Sequence, residues 1–149
     1  MIRGLLMVVL VIGLGALAVM GPRWFESRSA GASDAGDRPD CHPLQEACRW
    51  QTDSGQASVR IERLAGNELE LTATLPTAPD RVMVLLTGET MYMGEYPLRM
   101  ETTDETGHYR LRFVPPYCTT GDAMTWRASL RADGAPMGIP FNVLFQPTE

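Results

Sequence analysis

Residues 67–75 (Asn-Glu-Leu-Glu-Leu-Thr-Ala-Thr-Leu) alternate polar and apolar side chains, the period of a strand that buries one face. The pattern recurs. Residues 108–114 put Tyr109, Leu111 and Phe113 on one face and Arg110 and Arg112 on the other; 124–131 alternate in the same way, and 141–145 close the chain. Further strands are expected at 48–51, 57–63 and 81–87. Turn chemistry separates these runs at Ala65-Gly66-Asn67, 76–80, 104–107 and Asp133-Gly134. Helical spacing is not sustained, and no fixed-period repeat or βαβ alternation is visible. About seven short strands at this spacing predict an all-β domain, an immunoglobulin-like antiparallel β-sandwich.

That domain does not begin at the N-terminus. Residues 4–20 (GLLMVVLVIGLGALAVM) carry no charge and are followed by Gly21-Pro22-Arg23-Trp24-Phe25. At about 1.5 Å per residue they reach roughly 26 Å, enough with their flanks to cross a hydrocarbon core of about 30 Å. Pro22 would stop the helix, and Trp24 and Phe25 would anchor it at the interface. One N-terminal transmembrane helix is therefore expected, with residues 1–25 as an uncleaved signal-anchor. The competing reading is a cleaved signal peptide, for which Ala16-Leu17-Ala18 has the small-x-small form; cleavage there would strand Val19 and Met20 on the mature end. Residues 26–40 (ESRSAGASDAGDRPD) lack large apolar side chains and read as a flexible linker, reaching about 50 Å at full extension. The exported domain is expected over 41–149, on the periplasmic side of an inner membrane as a single-pass protein.

Charge and composition exclude several functions. The formal charge is −5 and all thirteen basic residues are Arg, with no dense cationic run, so nucleic acid is not an expected partner. No glycine-rich phosphate loop, His-Glu-x-x-His, Gly-x-Ser-x-Gly or Cys-x-x-Cys occurs in the domain. The carboxylate pairs Asp104/Glu105 and Glu68/Glu70 lie in a turn or on a wet strand face. No enzymatic activity is expected.

Sulfur is the conspicuous chemistry: nine Met and three Cys against two His. In an oxidising compartment Cys41 and Cys48 form the simplest disulfide, stapling the linker to the first strand; Cys48 with Cys118 is the rival pairing. The first pairing leaves Cys118 as a free thiol in the connection between two core strands. The other notable segment is 87–97 (TGETMYMGEYP), read as a loop or edge. Met91 and Met93 are two apart, so on an extended chain their thioethers point the same way. Two thioethers and a thiolate favour Cu(I) over harder cations, which makes Met91, Met93 and Cys118 the candidate metal ligands. Met100, Met124 and His108 are further donors to consider. Met83 and Met124 lie in apolar strands and read as core. Met91 and Met93 also have a plain alternative as adaptable packing beneath a loop.

The Met-x-Met-Gly loop, Gly107-His108-Tyr109, then Pro116-Tyr117-Cys118 and the strand around Trp126 follow an order that resembles the exported FixH/YtkA-like proteins. Over about residues 57–145 the resemblance implies a membrane-anchored, immunoglobulin-like sandwich linked to copper handling or delivery in terminal oxidase assembly. Met91 and Met93 match the methionine-rich loop, and Gly107 and Tyr109 match the hairpin before the tryptophan strand. The histidines often seen near such loops are missing here, and Cys118 would have to take their place. Two functions are thus expected: a membrane-tethered periplasmic domain binding Cu(I) through Met and Cys sulfur and serving a periplasmic or membrane protein partner, or a non-metal interaction scaffold for a membrane complex.

Overall fold

The computed structural model describes residues 38–116 and 124–147, and among them there are strands and turns but no helix. The expected span at 4–20 and its linker up to residue 37 lie outside the described residues, as does Cys118. No helix among the described residues is long and apolar enough to cross a membrane.

Eleven strands occur among the described residues: β1 (Asp40–Cys41), β2 (Cys48–Thr52), β3 (Gly55–Arg63), β4 (Leu69–Thr74), β5 (Val82–Gly88), β6 (Glu95–Arg99), β7 (Glu101–Thr102), β8 (His108–Phe113), β9 (Trp126–Ala132), β10 (Ala135–Pro136) and β11 (Asn142–Phe145). The seven expected from the sequence are β2, β3, β4, β5, β8, β9 and β11. One sheet runs β1-β11-β9-β5-β6 with β10 beside β9; the other runs β2-β3-β4-β8-β7. Pairing is antiparallel except that β1 lies parallel to β11, with Asp40 opposite Asn142 and Cys41 opposite Val143. The wholly antiparallel arrangement expected from the sequence is corrected at this edge, because the chain comes in alongside its own last strand.

Alternation decides which face is buried. In β3 Ala57, Val59 and Ile61 are buried, and in β4 Leu69, Leu71 and Ala73, while Arg60, Glu62, Glu70 and Thr72 face outward. Tyr109, Leu111 and Phe113 of β8 continue that inner face. The first sheet contributes Val82, Val84 and Leu86 from β5 and Trp126, Ala128 and Leu130 from β9. Edge-on rings join the two layers: Phe113 with Phe145 at 6.1 Å and Trp50 with Phe141 at 6.0 Å between centroids.

The disulfide joins Cys41 to Cys48 with their Cα atoms 5.9 Å apart, so it ties β1 of one sheet to β2 of the other. Just before β8 the turn needs a glycine. Gly107 has φ +80°, and a Cβ there would run into the Leu75 carbonyl, while its own carbonyl accepts from the Leu75 N–H at 2.8 Å.

Candidate functional site

The methionine loop joins β5 to β6. β5 ends at Gly88 opposite Trp126, and Phe145 of β11 also faces Trp126, so the loop, the start of β9 and the end of β11 share one end of the molecule. Phe113 brings the end of β8 to the same place.

Three features hold the loop. Gly88 has no room for a side chain: a Cβ there would overlap the Met91 carbonyl oxygen and the Met124 methyl. The Glu89 N–H donates to the Thr125 carbonyl at 2.8 Å, and the Glu89 carboxylate takes Arg127 side-on, both contacts at 2.8 Å. The Thr90 hydroxyl donates to the Met124 sulfur at 3.4 Å. Beyond these anchors Met91 is 46% exposed and Tyr92 80% exposed, while Met93 packs back on the core. The two thioethers therefore sit in different environments, one open and one half-covered. Gly94 turns the chain at φ +90°, and Tyr96 of β6 meets Trp126 edge-on at 5.7 Å. Trp126 is fully buried, and its indole N–H has no hydrogen-bond acceptor among the described residues.

Met124 is 6% exposed and precedes β9 rather than lying in it. It is core, as expected, yet its sulfur borders the methionine loop. Met83 is not core. It faces outward on β5, half-buried, because Val82, Val84 and Leu86 take the inner face. Met100 and His108 are also set apart from the loop: Met100 bonds through its N–H to Val82 at the start of β5, and His108 opens β8 opposite Thr74. Both stand at the opposite end of the strands from Gly88 and Trp126, too far for one ion to reach. Among the described residues no group of three His, Cys, Asp or Glu could hold a metal ion. A cleft of about 130 Å³ under the disulfide loop, bordered by His42, Gln45, Thr125 and Gln146, has room for a few waters, well below the roughly 300 Å³ of a small-molecule site.

Sequence reasoning missed the ionic anchor of this loop. Glu89 and Arg127 are far apart in the chain, and only the pairing of Thr87 with Arg127 brings them together. The hydrogen bond from Arg127 holds the Glu89 carboxyl below the ordinary value of 4.5, with the guanidinium charge adding to it and burial and Asp40 opposing. The same bond raises Arg127. A depressed carboxyl stabilises the fold above its unfolded value and loses that contribution as pH falls through the folded value. Loop anchoring is therefore expected to hold at neutral pH and weaken below pH 4.5. Carboxyl NMR should show Glu89 titrating below a free glutamate, and Arg127→Gln should return it to the ordinary range.

No family model, curated protein or solved structure matches the chain.

Proposed function

We propose that the domain is a membrane-tethered, immunoglobulin-like copper-handling module that binds Cu(I) through Met91, Met93 and Cys118. The observation that carries this reading is the Thr90–Met124 hydrogen bond of 3.4 Å. It sets the methionine loop against Met124, so thioethers from two separate chain segments gather at one end of the sheets, and Cys118 precedes Met124 by six residues in the sequence. Thioethers suit a soft monovalent ion and release no proton on binding it; a thiolate adds strength and sensitivity to oxidation. Residues 4–20 would hold the domain at the periplasmic face of the inner membrane, and the resemblance of its motif order to FixH/YtkA-like proteins supports delivery to an oxidase.

The test is competition against a Cu(I) chelator with the full chain. Wild type is expected to retain a single Cu(I), Met91→Leu/Met93→Leu to lose it, and Cys118→Ser to hold it more weakly. Equal retention by wild type and the triple variant overturns the proposal.

The 80% exposure of Tyr92 favours a second reading, in which the loop docks on a membrane complex without metal. Exposed Met and Tyr side chains suit an adaptable protein contact. In that case Met91→Leu leaves partner capture intact, whereas Tyr92→Ala abolishes it.

A further inference from the structure

A continuous set of hydrogen bonds runs across the outer surface of the first sheet, from the methionine loop to the strand at which the domain begins. Glu89 holds Arg127 through Nε and Nη2 at 2.8 Å each. The remaining Arg127 nitrogen, Nη1, donates to Asn142 Oδ1 at 2.7 Å. Asn142 Nδ2 then donates to Asp40 Oδ1 at 2.9 Å and to the Arg38 carbonyl at 3.1 Å, while its backbone N–H donates to Pro39 at 2.9 Å. Each link fixes the next. The guanidinium is planar and engaged on two sides, so Arg127 cannot turn without breaking one of them. Asn142 is 8% exposed, and its amide is held in one orientation, with Oδ1 toward Arg127 and Nδ2 toward Asp40 and Arg38.

From this geometry we infer that Glu89, Arg127, Asn142 and Asp40 form a positioning relay, through which the seating of β1 against β11 sets the conformation of the 89–94 loop and hence its capacity to bind Cu(I). The functional half rests on the Cu(I) assignment above; the structural half does not. A lone ion pair between Glu89 and Arg127 would feel Asp40 only as a nearby negative charge that opposes ionisation of Glu89, so removing Asp40 would leave the pair intact or tighten it. The relay predicts that removing Asp40 loosens it.

Amide hydrogen exchange on the copper-free full chain, followed by chelator competition on the same samples, decides between them. Glu89→Ala is expected to speed exchange across 89–94 on the order of tenfold, and Asp40→Ala to speed it by a smaller factor. Adding Asp40→Ala to Glu89→Ala should change nothing further, since the relay is already cut. Asp40→Glu, which keeps a carboxylate, should stay near wild type, and amides of β3, β4 and β8 should be unaffected throughout. Cu(I) affinity should fall in the same order as loop protection, with stoichiometry kept, unlike the loss expected on removing the thioethers. Wild-type loop exchange in Asp40→Ala, or full additivity of the two alanine variants, overturns the relay. Should wild type bind no Cu(I), the copper assignment fails while the exchange results still decide whether the relay exists.

Discussion

Trp126→Ala is expected to lower the unfolding free energy by about 4 kcal/mol, the cost of emptying a site this size in a packed core. Trp126 is fully buried at the start of β9, opposite Gly88 and Phe145 and edge-on to Tyr96 at 5.7 Å. One side chain thus supports the ends of three strands and the base of the methionine loop. For a domain of this size the loss corresponds to a fall in Tm of roughly 15 °C. Trp126→Phe should cost far less, because it keeps an aromatic ring beside Tyr96 and removes an indole N–H that has no acceptor among the described residues. Urea unfolding of the full chain measures both variants; equal losses would mean that the ring's packing is not what matters there.

Cys41→Ala/Cys48→Ala is expected to remove about 2.5 kcal/mol, the entropy of closing a loop this short in the unfolded chain. Further loss should follow from the native state, because the bridge ties β1 to β2 across the two sheets. Wild type treated with a thiol reductant should match the double variant in the same unfolding experiment. A reduced protein as stable as the oxidised one would show that β1 is held by its pairing with β11 alone.

The strands that were legible in advance are those whose alternation has a clear phase. β4 and β8 place a polar or charged side chain on every outward position, so their inner faces could be named residue by residue. Residues 81–87 gave the strand but not its phase, because Val82, Met83, Val84, Leu85 and Leu86 are all apolar and either face could have been the buried one. Met83 was misassigned for that reason. β6 carries Pro97 and has no fully buried residue, which leaves it as an edge beside β5 that sequence period alone does not announce. β1, β7 and β10 are two residues each and exist only because a longer strand lies beside them.

By itself, then, the sequence determined an all-β chain, the main strands, the turns between them and the Cys41–Cys48 pairing as the simplest of its alternatives. It also singled out the Met91–Met93 segment as a loop or edge, since Gly, Glu and Thr there cannot make a buried strand. Tertiary structure alone decided which sulfurs stand near that loop. Met124 borders it because β9 pairs with β5, and Met100 and His108 are removed to the opposite end because β5 and β8 start there. The ionic anchor was equally invisible, since Glu89, Arg127, Asn142 and Asp40 are separate in the chain. Local period fixes the direction in which a side chain points, but proximity between distant residues depends on strand order and register, which long-range packing selects.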